Sequence, residues 1–280
     1  MKTHRKPSWE TLLPSILLAG LVAILPQTVS GAPTPSVEEI VQKIDDLYEG
    51  DTSTSELVMY MVDTNKRQRV RHLKGFGKVF DGYEASLLFF VSPAEVKGTA
   101  YMEHDWKDDA RDDDAWLYLP ALHKVKRVAS TAKSDAFMGS DFTYSDINGP
   151  PVWDWNYRII KENEQIDGHD CWVLESVPKP AKKQKVWDET GYVKRTTWVR
   201  KDSYYIVKGK FFVKKGKKVK YYKVEGLHQV DGVWTPKRQE MVTTKKGRVE
   251  HSTVLEWRNP AYNMPLDDAQ FTTQAMERGL

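Results

Sequence analysis

From Ser36 to Tyr48 the apolar positions are Val37, Ile40, Val41, Ile44, Leu47 and Tyr48, the i, i+3, i+4, i+7 stripe of an amphipathic helix. Ser36 and Glu39 have capping-box spacing, Pro35 precedes the cap and Gly50 suits the stop. Beyond that helix the pattern changes to strand. Runs at 55–63, 69–80, 83–91, 99–104 and 114–119 are rich in β-branched, aromatic and aliphatic residues, and the pattern resumes at 153–161, 171–177, 192–200, 204–214, 218–230, 233–244 and 248–257. Asp167-Gly168, Lys215-Gly216, Asp231-Gly232 and Lys246-Gly247 mark hairpin turns between successive runs. About a dozen strands with such short connections predict an antiparallel meander without a second helical layer of βαβ type.

The early strands are apolar on both faces. Leu57, Met59 and Met61 alternate with Val58, Tyr60 and Val62, and Ala85, Leu87 and Phe89 alternate with Leu88 and Phe90. Both faces therefore need cover, or one lines a cavity. A half-open barrel wrapped over the N-terminal helix fits this distribution. Residues 129–151 break the β pattern, yet carry Phe137, Met138, Phe142, Tyr144 and Ile147. A long loop with large apolar residues reads either as a lid or as filler over a sheet edge.

Ahead of the helix, Lys2, Arg5 and Lys6 precede an apolar stretch from Leu12 to Leu25, and small residues follow at Ser30, Gly31 and Ala32. This is the pattern of a signal peptide over residues 1–31, cleaved near Gly31. The stretch is interrupted by Pro14 and falls short of the ~20 residues that a span needs. No cysteine follows it to accept a lipid anchor. Removing residues 1–31 changes 42 Lys+Arg against 39 Asp+Glu into 39 against 38, so the net charge falls from +3 to +1. That excludes nucleic-acid binding on charge alone, and the 10 Trp, 13 Tyr and 9 Phe exclude a disordered chain. What stands out is the distribution of charge: Asp108, Asp109, Asp112, Asp113 and Asp114 form one acidic turn, read as a solvated tip. Lys214, Lys215, Lys217 and Lys218, and again Lys245, Lys246 and Arg248, form basic ones. If the two basic tips lie side by side they make a cationic edge for anionic headgroups or an acidic partner.

Catalytic constellations are hard to find. The histidines show no HxH or HxxxH spacing and none neighbours the single cysteine, Cys171, which reads as structural. No GxSxG, P-loop or GxGxxG is present. The reading is therefore not an enzyme, with no metal and no cofactor, unless the fold brings two of His72, His104 and His123 to a carboxylate. A β scaffold with surplus apolar side chains points to a hydrophobic ligand.

Asp113-Asp-Ala-Trp-Leu-Tyr-Leu-Pro-Ala-Leu-His-Lys-Val-Lys-Arg-Val128, then Phe137-Met-Gly-Ser-Asp-Phe-Thr-Tyr-Ser-Asp146, resemble the outer-membrane lipoprotein-sorting proteins, in particular the LolA-like periplasmic branch often paired with RND-type exporters. Phe89-Phe-Val-Ser-Pro93 and Asp267-Asp-Ala-Gln-Phe-Thr272 extend the likeness over most of the chain beyond residue 31. The resemblance implies a mainly β fold with a few helices. It would be an unclosed antiparallel β-barrel of about eleven strands with a helical lid, forming one carrier domain over residues 32–280. It further implies a periplasmic carrier that shuttles the acyl chains of a lipoprotein or other lipid between membrane components. An RND-type transporter is the implied inner-membrane partner, and contact with membrane surfaces is transient. A C16 chain carries about 12 kcal/mol of hydrophobic transfer energy at ~0.8 kcal/mol per CH₂, which is why a carrier needs an apolar cavity. The candidate cavity residues are Leu57, Met59, Met61, Leu87, Phe89, Met102, Trp116 and Tyr118, with Phe137, Met138 and Phe142 as lid. The resemblance does not place that family's lid-locking arginine on a particular position of this sequence. The alternative is a periplasmic adaptor or sensor that binds a transporter or other protein, with the groove filled by its own side chains.

Overall fold

The capping box forms as its spacing requires: Ser36 Oγ accepts from Glu39 N, and the Glu39 carboxylate accepts from Ser36 N at 2.7 Å. It starts helix α1 (Val37–Asp45), which buries Ile40 and Val41. Our computed structural model describes residues 34–108, 111–149 and 152–280, and residues 35–280 form one unit. The expected signal peptide lies outside the described residues.

Five strands follow in meander order: β1 (Thr52–Asp63), β2 (Gln68–Val79), β3 (Tyr83–Ser92), β4 (Ala100–Trp106) and β5 (Asp114–Leu119), closed by β6 (Lys124–Val128). Residues 129–149 then leave the sheet and include helix α2 (Tyr144–Asn148). The second half contributes β7 (Trp155–Ile166), β8 (His169–Pro178), helix α3 (Lys183–Thr190), β9 (Tyr192–Arg200), β10 (Ile206–Val213) and β11 (Lys218–Glu225). Strands β12 (His228–Val230) and β13 (Val233–Thr235) make a separate small hairpin, before β14 (Arg238–Lys245), β15 (Arg248–Tyr262) and helix α4 (Thr273–Arg278).

All pairings in the main sheet are antiparallel, in the order β6-β5-β4-β3-β2-β1-β15-β14-β11-β10-β9-β8-β7. The halves join where β1 pairs with β15, Met59 opposite Leu255. The sheet is unclosed, with β6 and β7 at its edges, and has thirteen strands where about eleven were expected.

Several elements differ from the periodicity reading. The runs at 218–230 and 233–244 each break in two, because Gly226 takes φ +65 and Pro236 removes a ladder donor. The Lys215-Gly216 turn sits one residue later: Gly216 and Lys217 are the left-handed pair, whereas the Asp167, Asp231 and Lys246 turns fall where expected. Strand β6, Lys-Val-Lys-Arg-Val, carries too little apolar signal to be seen alone, and helix α3 fills the gap between the expected strands at 171–177 and 192–200.

Both faces of the early sheet are covered, by different parts of the chain. On the concave face Leu57, Met59, Met61, Leu73, Phe90 and Tyr101 pack with Phe137 and Phe142 of the 129–149 segment. Farther along that face, Ile40 of α1 packs on Trp172, Leu174 and Val199. On the opposite face Leu87, Phe89, Met102 and Tyr118 are sealed by Phe271 and by Met276 of α4.

Candidate functional site

The concave face is the site the chain builds most elaborately, and residues 133–146 occupy it. Their shape comes from a tight turn. Met138 and Gly139 both have positive φ, Ser140 N bonds Phe137 O at 2.9 Å, and Ala136 bridges Thr143. That geometry favours glycine at the second position and turns Phe137 and Phe142 inward together, 0% and 3% exposed. Thr143 then caps α2, in a reciprocal box with Asp146.

Polar side chains hold this segment at four places. Lys133 Nζ donates to Glu103 Oε1 of β4 at 2.8 Å and to Asp113 Oδ2 at 2.9 Å. Burial opposes the ammonium's charge, but Glu103 and Asp113 outweigh it and hold the lysine pKa above its ordinary value. Glu103 also accepts from Tyr101 Oη. Arg71 of β2 donates to the carbonyl of Met138 at 2.5 Å. Asp141, its side chain 2% exposed, accepts from the hydroxyls of Thr243 and Thr253 and meets His251 Nδ1. Asp146 accepts from Tyr192 Oη at 2.7 Å and faces the Lys220 ammonium at 3.7 Å. A buried charge needs such partners to be tolerated, so the inward positions of β2, β4, β9, β11, β14 and β15 are polar where they meet the segment.

The sequence-derived residues divide. Leu57, Met59 and Met61 share the concave face with Phe137, Phe142 and the partly buried Met138. Leu87, Phe89, Met102, Trp116 and Tyr118 belong to the other face, under Phe271 and Met276. The eight therefore do not form one cavity. Register decides this: Leu87 stands opposite Met102 and Met102 opposite Trp116, whereas Leu88 stands opposite Tyr101. With both faces apolar, alternation could not say which of them faced inward. Phe137, Met138 and Phe142 do lie over the concave face, inserted into it rather than above an open space. Two shallow cavities, of about 350 and 320 Å³, lie beside it, the second bordered by Leu57 and Leu73.

Arg71, Asp141 and Lys133 were missed by sequence reasoning. The available signal was an arginine in the inward-facing series of β2, between Arg69 and Leu73, and charged residues inside a loop that carries large apolar side chains. The acidic turn is also less solvated than expected. Asp113 binds Lys133, and Asp114 meets Arg111, Arg127 and the Trp106 indole. Lys214, Lys215 and Lys217 are exposed on the β10–β11 tip, while Lys218 pairs with Glu250 at 2.8 Å. His104 is enclosed by Tyr83, Trp106 and Trp116. Burial pushes the Cys171 thiol up to about 11, which leaves no thiolate nucleophile near neutral pH. Among the described residues no group of three or more His, Cys, Asp or Glu is arranged to hold a metal ion.

A long unclosed antiparallel sheet, curled over a helix and an inserted segment, is the LolA-superfamily fold. A LolA superfamily protein from Nitrosomonas europaea shares it at a TM-score of 0.63 and 20% identity, over 86% of this chain and 99% of that one. A protein domain from Vibrio parahaemolyticus described as outer membrane lipoprotein-sorting matches at a TM-score of 0.74 and 28% identity, over 86% and 97%. A DUF1329 family protein from Desulfovibrio piger matches at a TM-score of 0.75 and 31% identity, over 85% and 96%. A family model described as "Uncharacterized protein" spans residues 82–278. The chain belongs to the DUF1329 family. No curated protein matches it.

Proposed function

We propose that this chain is an exported, periplasmic carrier that binds the acyl chains of a lipoprotein or other lipid on its concave face, with residues 133–146 as a displaceable lid. Residues 32–280 are its single carrier domain, following a signal peptide cleaved near Gly31. Leu57, Met59 and Met61 line the bound chain, and Phe137, Met138 and Phe142 leave to admit it. The five residues of the opposite face take no part. Methionine suits the role because its flexible thioether adapts to chains of different shape.

The observation that carries this reading is how the lid is held. Residues 133–146 lie on the richest apolar surface of the sheet, yet polar contacts from Lys133, Arg71, Asp141 and Asp146 hold them there, and their own backbone–backbone bonds run within residues 129–146. A segment held this way can exchange for a ligand without unpairing the sheet. Arg71 is the residue we assign as its lock.

Hydrogen exchange of the protein with and without a lysophospholipid tests the reading. Amides of residues 137–146, protected when the lid is in, should exchange faster with lipid, while those of 266–276 on the opposite face stay unchanged. Native mass spectrometry without co-purified lipid, together with no change at 137–146, overturns it. A filled concave face also favours the adaptor alternative, in which the groove never opens and an RND-type transporter binds elsewhere. That version keeps 137–146 protected under every lipid.

A further inference from the structure

We infer that the end of the sheet carrying the β1–β2, β10–β11 and β14–β15 turns is a docking surface for an anionic lipid bilayer, independently of what the concave face holds. The antiparallel register brings the basic turns together. Lys218 pairs with Lys245 and Lys245 with Arg248, so the β10–β11 and β14–β15 tips are immediate neighbours. Asp63 pairs with His251, which sets the β1–β2 turn and its Lys66 next in the same row. Lys66, Lys215, Lys217, Lys246 and Arg248 are exposed, and none makes an ion pair among the described residues. The same end carries the start of β6 with Lys124, and Lys182 and Lys183 ahead of β9.

The opposite end has the other sign. Its turns hold Asp81, Asp108, Asp112, Asp167 and Asp202, with Lys107, Arg111, Lys201 and Lys237 among them. Nearly balanced overall charge therefore conceals a molecule polarised along its strands. An anionic surface attracts one end and repels the other, which orients the protein as well as binding it.

Two exposed apolar side chains favour a bilayer over an acidic protein groove. Val249, beside Arg248, is 58% exposed, and Leu122 in the β5–β6 turn, two residues before Lys124, is 53% exposed. They stand on tips at separate places along the row and form no joint pocket for a peptide. Isolated apolar residues among cations suit insertion between headgroups, where charge and burial act together. The inserted segment reaches this end too. Asp141 bonds Thr243 and His251, which lie just short of the β14–β15 turn.

Vesicle co-sedimentation tests the inference, using protein purified after export. It should bind vesicles of phosphatidylglycerol with phosphatidylcholine, bind phosphatidylcholine alone far more weakly, and lose affinity steeply with added salt. Reversing Lys215, Lys217, Lys246 and Arg248 to Glu should weaken binding by at least about tenfold. Leu122→Ser with Val249→Ser should weaken it severalfold while leaving circular dichroism and melting temperature unchanged. Equal binding by the charge-reversed variant, or equal binding to both vesicles, overturns the proposal. Absence of vesicle binding with salt-sensitive binding to polyglutamate also overturns it and assigns an acidic polypeptide instead.

Discussion

The ammonium of Lys133 meets the carboxylate of Glu103 at 2.8 Å with both side chains less than a tenth exposed, joining the inserted segment to strand β4 thirty residues upstream. Removing one member of a buried pair costs more than removing both, because the survivor stays charged and desolvated. Lys133→Met should therefore cost about 3 kcal/mol, and adding Glu103→Gln should recover part of it. Urea denaturation of the two variants and the parent measures this. Additive losses would mean that the two side chains do not act as a pair.

Asp105 sits beside this pair and makes stability depend on pH. An unfolded aspartate titrates near 3.9. Asp105 is exposed as a residue, but partial desolvation of its carboxyl, then the carboxylates of Asp113, Glu103 and Glu84, push it up to about 7 in the folded protein. Between those values the folded state holds a proton that the unfolded chain has released, so this group's contribution falls as pH rises from about 4 through 7. Asp105→Asn should raise the melting temperature at pH 8 and give no gain at pH 4. An equal gain at both would show that the side chain's charge is not the cause.

Asp141 gathers two threonine hydroxyls and an imidazole from β14 and β15. Asp141→Asn keeps the shape and weakens charge-assisted bonds, at an expected cost of about 2 kcal/mol. Under the carrier reading the same change should tighten binding of a fluorescent fatty acid, since a looser lid competes less well. Stability and binding would then move in opposite directions, which denaturation and fluorescence titration read separately.

The two apolar faces can be told apart by a matched pair. Met59 and Met102 are both essentially unexposed, on opposite sides of the sheet. Each change to Ala should cost about 2–5 kcal/mol. Only Met59→Ala should alter affinity for the fatty-acid probe. Equal effects on binding would place the ligand somewhere other than the concave face.

Much of the architecture was legible because its causes are local. The Ser36–Glu39 box, the period-2 runs and the Asp-Gly and Lys-Gly turns specify helix and hairpins within a few residues of themselves. The site was legible only in part. Phe137, Met138 and Phe142 stood out as apolar residues in a long loop, but Arg71, Lys133 and Asp141 resemble ordinary surface charges until their partners are known. Those partners lie far along the chain, Thr253 of β15 being 112 residues from Asp141.

The amino-acid sequence by itself determined a mainly β chain with an N-terminal helix, more apolar sheet surface than one face needs, and clusters of opposite charge. Tertiary structure alone decided which face curls inward, which segment fills it, and that the basic turns align at one end with the acidic turns at the other. Alternation reports that successive side chains point to opposite sides, but the identity of each side depends on cross-strand register and on what packs there. Those are long-range properties, set when β1 meets β15 and when residues 133–146 fold back onto strands from 30 to more than 100 residues away.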